Sequence, residues 1–140
     1  HSGDAFVSPK FNSLAEMTEG SEIGTSSLRR RAQVLAARPD LKVVDLRGNL
    51  DTRLRKVAEG NPPAGIRAVA GMRRLGREDE ITGIIDTDIM LPAAAQGAIA
   101  IETRKDDADI IGILAPVHCA RTSPCCAAER AFLNEASKRY

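Results

Sequence analysis

Aromatic residues are few: three Phe, one Tyr and no Trp in 140 positions. Nucleic-acid bases stack on such rings, and the formal net charge is only +1, so the sequence argues against a polynucleotide partner. Cysteine is scarce too. Cys119, Cys125 and Cys126 form no CxxC pair. Their odd number argues against a disulfide framework and fits a reducing compartment, and as small apolar residues they suit helix positions. With only two histidines, His1 and His118, the chain shows no metal-ligand cluster, P-loop or nucleophile elbow, and His118 reads as structural. No apolar run approaches the roughly 20 residues that span a bilayer, so no membrane segment is expected. No secretory leader is visible, and the chain opens on His1 rather than Met, the pattern of a fragment or a processed product. What remains is an ordinary globular composition, long enough for one domain, or one domain plus pieces of others.

Charge is unevenly placed. Between Ser26 and Lys56 nine Lys and Arg stand against three Asp, an excess of six that the rest of the chain nearly cancels. A local basic patch on a neutral chain points to a discrete anionic ligand. At its head lies Ile23-Gly24-Thr25-Ser26-Ser27-Leu28-Arg29-Arg30-Arg31, read as a strand end, a glycine turn and hydroxyl residues that cap a helix. The helix is expected from about Ser26 to Ala37, with Leu28, Ala32 and Leu35 inward. Arginines in a first turn face the positive end of the helix dipole, each at a cost of about 0.3–1 kcal/mol. Either solvent screens that cost, or an anion at the helix mouth reverses its sign.

The device recurs. Lys42-Val43-Val44-Asp45-Leu46 predicts a strand, followed by Arg47-Gly48-Asn49, with Asn49 as cap. The next helix carries Leu50, Leu54, Val57 and Ala58 on one stripe and an Asp51–Arg55 pair. A strand over Ala64–Ala70 completes a βαβ unit. Ser13–Met17 suggests one or two helical turns, Ala98–Ile101 a strand and Asp106–Ala115 an amphipathic helix using Ile110, Ile111 and Leu114. A last helix from about Ser123 has Pro124 in its first turn and Ala127, Ala128, Ala131 and Phe132 inward. This alternation predicts an α/β fold with a mostly parallel sheet. Ligands of such sheets bind beyond the carboxyl ends of the strands, so Ser27, Arg29, Arg30, Arg47 and Arg53 are candidates for one shared rim. Arginine forks suit carboxylates or phosphates, and the residues alone do not choose between them. Arg31, Arg38 and Arg55 read as solvated surface, and no catalytic residue stands out.

Gly24-Thr25-Ser26-Ser27-Leu28-Arg29-Arg30 resembles a motif of the porphobilinogen deaminase (hydroxymethylbilane synthase) family. The likeness runs through the chain in order: Asp4-Ala5-Phe6-Val7-Ser8; Arg47-Gly48-Asn49 with Thr52-Arg53-Leu54; Val69-Ala70-Gly71-Met72-Arg73-Arg74-Leu75-Gly76; Leu91-Pro92-Ala93 with Gln96-Gly97-Ala98; and Glu129-Arg130-Ala131-Phe132-Leu133. The resemblance implies a transferase of tetrapyrrole and heme biosynthesis that joins four porphobilinogen units, with release of ammonia, on a dipyrromethane primer held by a cysteine thioether. It implies that Ser27, Arg29, Arg30, Arg47, Gly48 and Arg53 meet acetate and propionate groups, and that Arg74 and Gln96 line the same cleft. It further implies a periplasmic-binding-protein-like lobe. Residues 1–92 would be the family's domain two, 93–117 a strand and helix returning to domain one, and 118–140 the start of a truncated domain three. The partners implied are porphobilinogen and its linear oligomers, the family is usually monomeric, and its setting is the cytoplasm or, in plants and algae, the plastid stroma.

Two departures accompany the likeness. Tyr140 falls where the family has its cofactor cysteine, and a phenol does not replace a thiolate in forming a thioether. Pro63, Gly65 and Arg67 stand where the family has an aspartate and large aliphatics, and a buried unpaired arginine is costly, so a rearranged sheet edge is expected there. The resemblance therefore implies a chain that binds pyrrole carboxylates weakly and without turnover of its own, lacking the family's catalytic aspartate as well as its cofactor cysteine. The alternative reading is a non-catalytic anion-binding lobe of a periplasmic-binding-protein-like regulator or transporter.

Overall fold

Five short strands form one mixed sheet in the order β3-β2-β4-β1-β5 in the computed structural model, which describes residues 1–138. They are β1 (Asp4–Val7), β2 (Glu22–Gly24), β3 (Lys42–Val44), β4 (Gly65–Ala68) and β5 (Gly83–Ile85). Helices α1 (Leu28–Ala37) and α2 (Leu50–Ala58) connect β2 to β3 and β3 to β4, and α3 (Val69–Arg74) follows β4 directly. β2 pairs in parallel with β3 and β4, whereas β1 pairs antiparallel with β4 and β5. The fold is thus α/β as expected, but the sheet is mixed rather than mostly parallel. Parallel neighbours need a crossover, usually a helix. Residues 8–21 after β1 contain only turns, including at Ser13–Met17, where the sequence suggests helical turns.

Alternation along β1 sends Phe6 and Val7 to opposite faces, and each joins a different core. Phe6 packs with Ile23, Val34 and Ile66 on the α1 side. Val7 packs with Leu46, Leu54, Val57 and Met72 on the side of α2 and α3. The stripe expected for α2 is confirmed at Leu54 and Val57, with Leu50 partly buried, but Ala58 is exposed. For α1 the expected stripe is out of phase: Leu28 is 82% exposed, Leu35 is also exposed, and Val34 is the buried residue. Positions 30, 34 and 38 share one face at i, i+4 spacing, and the ion pairs of Arg30 and Arg38 turn that face inward. Arg38, read from the sequence as surface, in fact donates to the carbonyls of Leu14, Ala15 and Met17 at 2.8–2.9 Å and ties that turn to the end of α1. Asp51 pairs with Arg77 rather than Arg55.

Gly24 closes β2 where no side chain fits. A Cβ there would lie 2.5 Å from Leu46 Cδ2 and 2.7 Å from Pro62 Cγ. Gly24→Ala is therefore expected to cost about 1–3 kcal/mol by overpacking, read as a lower midpoint in urea at unchanged slope. An unchanged midpoint would refute this close packing.

The chain divides into two compact units, His1–Gly97 and the segment from Ala98 onward. The second holds α4 (Ala108–Leu114) and α5 (Thr122–Ser137). Pro124 lies in the first turn of α5, as expected. Ala98–Ile101 is not a strand: the described residues of this unit contain no strand to pair with it, and Ile99 and Ile101 are exposed. Ile110, Ile111 and Phe132, expected inward, are exposed as well. No single helix among the described residues is long and apolar enough to cross a membrane.

Candidate functional site

The carboxyl ends of β2, β3 and β4 open on one rim, and the antiparallel β1 begins there, with Asp4 opposite Ala68. The turn after β2 is built from hydroxyls. Thr25 Oγ1 accepts from the Ser27 amide at 3.2 Å, Ser26 Oγ accepts from the Leu46 amide at 3.2 Å, and Ser27 caps α1 by accepting from the Arg30 amide at 3.4 Å. Asn49 caps α2, accepting from Thr52 at 2.8 Å. Asn49 is the cap that the sequence names, and Ser27 is the one of the hydroxyl residues that caps α1, so the helix begins at Leu28 rather than about Ser26.

The anion called for at the mouth of α1 is part of the chain itself. Asp4 is fully buried. Its Oδ2 accepts from Arg29 Nη2 at 2.8 Å, and its Oδ1 accepts from Arg30 Nη2 at 2.7 Å and Nε at 3.1 Å. Gln96 Nε2 donates to Asp4 Oδ1 at 2.9 Å and to the Ser2 carbonyl at 2.6 Å. Arg29 also donates to Gln96 Oε1 and to the Leu91 carbonyl. Gln33 Nε2 donates to the Leu91 carbonyl at 3.1 Å and its Oε1 accepts from the Leu91 amide at 2.7 Å, so residues 91–96 are strapped to α1. Two guanidinium charges against one carboxylate leave this cluster with net positive charge.

The other sequence candidates are less engaged. Arg47 is exposed, its guanidinium donating to Asp45 at 3.2 Å and its carbonyl accepting from Lys56 Nζ at 3.5 Å, and Gly48 beside it has φ +120°. Arg74 is exposed at the end of α3. Arg53, on α2, is half-buried and its Nε is buried without a partner. The structure thus joins Ser27, Arg29, Arg30 and Gln96 in one bonded network, leaving Arg47, Arg53 and Arg74 outside it.

Two residues of the site are not singled out by the sequence as site residues. Asp4 is visible there as the head of a motif, but only strand order brings it to the arginines. Arg67 is expected at a rearranged edge, yet β4 is the central strand of the sheet and Arg67 is 4% exposed within it. Its Nη1 donates to the Ile66 carbonyl at 2.6 Å, while Nε and Nη2 are buried and unpartnered. Burial, reinforced by the charges of Arg53 and Arg30, pushes the Arg67 guanidinium down to about 10. Among the described residues no group of three His, Cys, Asp or Glu is placed to hold a metal ion. The three cysteines are free thiols of the second unit, and a hydrogen bond with Thr122 holds the Cys119 thiol below its ordinary value. Tyr140, the position aligned with the cofactor cysteine, lies outside the described residues.

The family model described as "Porphobilinogen deaminase, dipyromethane cofactor binding domain" matches residues 1–112. This chain belongs to the porphobilinogen deaminase family. A porphobilinogen deaminase of Bacillus cereus is 52% identical over 133 residues, which cover 94% of this chain and 43% of that protein. Those of Nitrobacter hamburgensis and Carboxydothermus hydrogenoformans are each 50% identical, over 93% and 94% of this chain and 41% and 42% of theirs. The chain therefore spans less than half the length of the family members it matches.

Proposed function

We propose that this chain is the carboxylate-gripping part of a hydroxymethylbilane synthase, which polymerises porphobilinogen into a linear tetrapyrrole with release of ammonia. The observation that carries this reading is the arginine-rich rim centred on Arg29 and Arg30, built from the segments that match the family. Residues 1–92 would act as a periplasmic-binding-protein-like lobe, with 93–117 and 118–140 contributing to neighbouring domains of the longer protein. Ser27, Arg29 and Arg30 present fixed donors, and Arg47, Gly48 and Arg74 offer an exposed second bank. Gln96 keeps Asp4 and Arg29 in register. The orphan nitrogens of Arg53 and Arg67 suit the acetate and propionate groups of dipyrromethane, which in the family supplies the primer on which the tetrapyrrole grows. Ordered guanidinium donors select carboxylates by geometry as well as charge. Asp4, the one buried carboxylate among the described residues, has both oxygens occupied by guanidinium donors and is not placed to serve as an acid or base.

Binding without turnover follows. Calorimetric titration of the chain with porphobilinogen is expected to show binding that weakens about tenfold or more in Arg29→Ala/Arg47→Ala, since a charged hydrogen bond contributes roughly 1.5–3 kcal/mol. Arg47→Ala alone is the cleaner arm because Arg47 is exposed. Equal affinity in all three proteins would refute the assigned rim, and release of hydroxymethylbilane by the chain alone would refute its inactivity.

A further inference from the structure

Arg67 stands one residue before the end of β4, where the parallel strands open onto the rim. Its register partner is Ala5. Alternation puts its side chain on the α2 face with Gly65 and Val7, opposite Asp4, Phe6 and Ile66. The carboxylate that satisfies Arg29 and Arg30 therefore lies across the sheet from it. Its single hydrogen bond uses Nη1, and Nε and Nη2 are left buried and unpaired. Those two nitrogens flank one edge of the guanidinium, the edge that receives a carboxylate side-on.

The same edge is filled twice elsewhere in this molecule. Arg38 holds Asp40 with Nε and Nη2 at 2.8 and 2.6 Å. Arg30 holds Asp4 Oδ1 with Nε and Nη2 at 3.1 and 2.7 Å. In Arg67 the edge has no occupant among the described residues. Arg53 is a second cation close by, and its Nε is likewise buried and unpaired. Three orphan donors on two neighbouring cations forfeit hydration without return, and an anion between them reverses that balance.

We propose that the Nε–Nη2 edge of Arg67, assisted by Arg53 Nε, is a buried fork for one carboxylate group of the bound ligand. The fork is separate from the guanidinium edges that Asp4 already fills. It deepens the pyrrole-carboxylate reading above and rests on it for the identity of the ligand. Porphobilinogen carries two carboxylates, so one can meet the exposed rim arginines while the other enters this fork.

Two probes separate this fork from the wider function. The first is the rise in melting temperature with sodium propionate over sodium chloride at equal ionic strength. The second is the dissociation constant for porphobilinogen. Both are measured on the chain, on Arg67→Met, which keeps the apolar stem, and on Arg67→Lys, which keeps a charge without the planar fork. Circular dichroism checks that each variant is folded. Propionate is expected to raise the melting temperature of the unsubstituted chain and to lose that effect in Arg67→Met. Porphobilinogen affinity is expected to fall about tenfold in Arg67→Met, with less than half of the loss restored, on a logarithmic scale, by Arg67→Lys. Identical propionate responses in the chain and Arg67→Met would overturn the fork, and so would no response in either. A larger Arg67-dependent response to inorganic phosphate would overturn its assignment to carboxylate. An Arg67-dependent propionate response in a chain that ignores porphobilinogen would uphold the fork and refute the pyrrole ligand.

Discussion

Asp4→Ala is expected to destabilise the first unit by about 3–5 kcal/mol, the usual cost of removing one partner from a buried ion pair. Asp4 is fully buried and answers two guanidinium groups and the Gln96 amide. Its removal leaves Arg29 and Arg30 close together at the positive end of α1 with no counter-charge. A domain of ordinary stability has about 5–15 kcal/mol in total, so the variant should melt far below the unsubstituted chain. Asp4→Asn, which keeps the shape and drops the charge, should recover only a part of the loss. A melting temperature for Asp4→Ala indistinguishable from the parent's would show that the cluster carries no stability. The same substitution also frees the guanidinium edges that Asp4 fills for an external anion. A polycarboxylate should therefore stabilise Asp4→Ala more than it stabilises the parent, by simple linkage.

Arg67→Met is expected to act in the opposite direction, raising stability by about 1–4 kcal/mol in the absence of ligand, as apolar replacements of buried ionic groups often do. Arg67 sits in the central strand with two unpaired nitrogens and, among the described residues, no carboxylate partner. The pH dependence has a definite sign. The guanidinium is lowered to about 10 in the fold, below its ordinary value, so between the folded and the unfolded value the unfolded chain binds more protons and the stability of the parent rises with pH. Below about pH 10 the cost is fully present, and the advantage of the methionine variant should be constant across neutral pH and shrink above 10. Urea midpoints from neutral pH up to the onset of that titration test this, and a variant less stable than the parent at neutral pH would mean that the buried charge is compensated.

Local chemistry is readable from the sequence, and long-range chemistry is not. Asn49 can be named as a cap, and the hydroxyl run Thr25–Ser27 as holding one, because a cap is decided within about four residues of chain. The arginine excess at the mouth of α1 leaves solvent screening or an anion open, and the answer within the chain, Asp4, depends on β1 lying antiparallel beside β4, which no local pattern states. The phase of α1 fails for a related reason. An apolar count turns Leu28 and Leu35 inward, whereas Arg30 and Arg38 are drawn in by Asp4 and Asp40 and rotate the helix about Val34. Ala98–Ile101 has the composition of a strand but lacks a neighbour, and strand propensity expresses fit to a pleated surface more than a preference of the isolated chain. Arg67 is recognisably costly, but the side of the sheet that receives it is set by register with Ala5.

The strap from Leu91 to Gln96 also bears on the order of folding. Gln96 and Asp4 are 92 residues apart in the chain, so their bond closes almost the whole first unit into a ring. Such closure spends chain entropy before its contacts are gained, and topologies dominated by distant pairings fold slowly. The local turns at Ser27 and Asn49 are free to form early, while the carboxylate cluster waits for both ends of the unit to meet. Recovery of anion binding should therefore trail recovery of helical signal during refolding, making ligand capture a reporter of the final closure step.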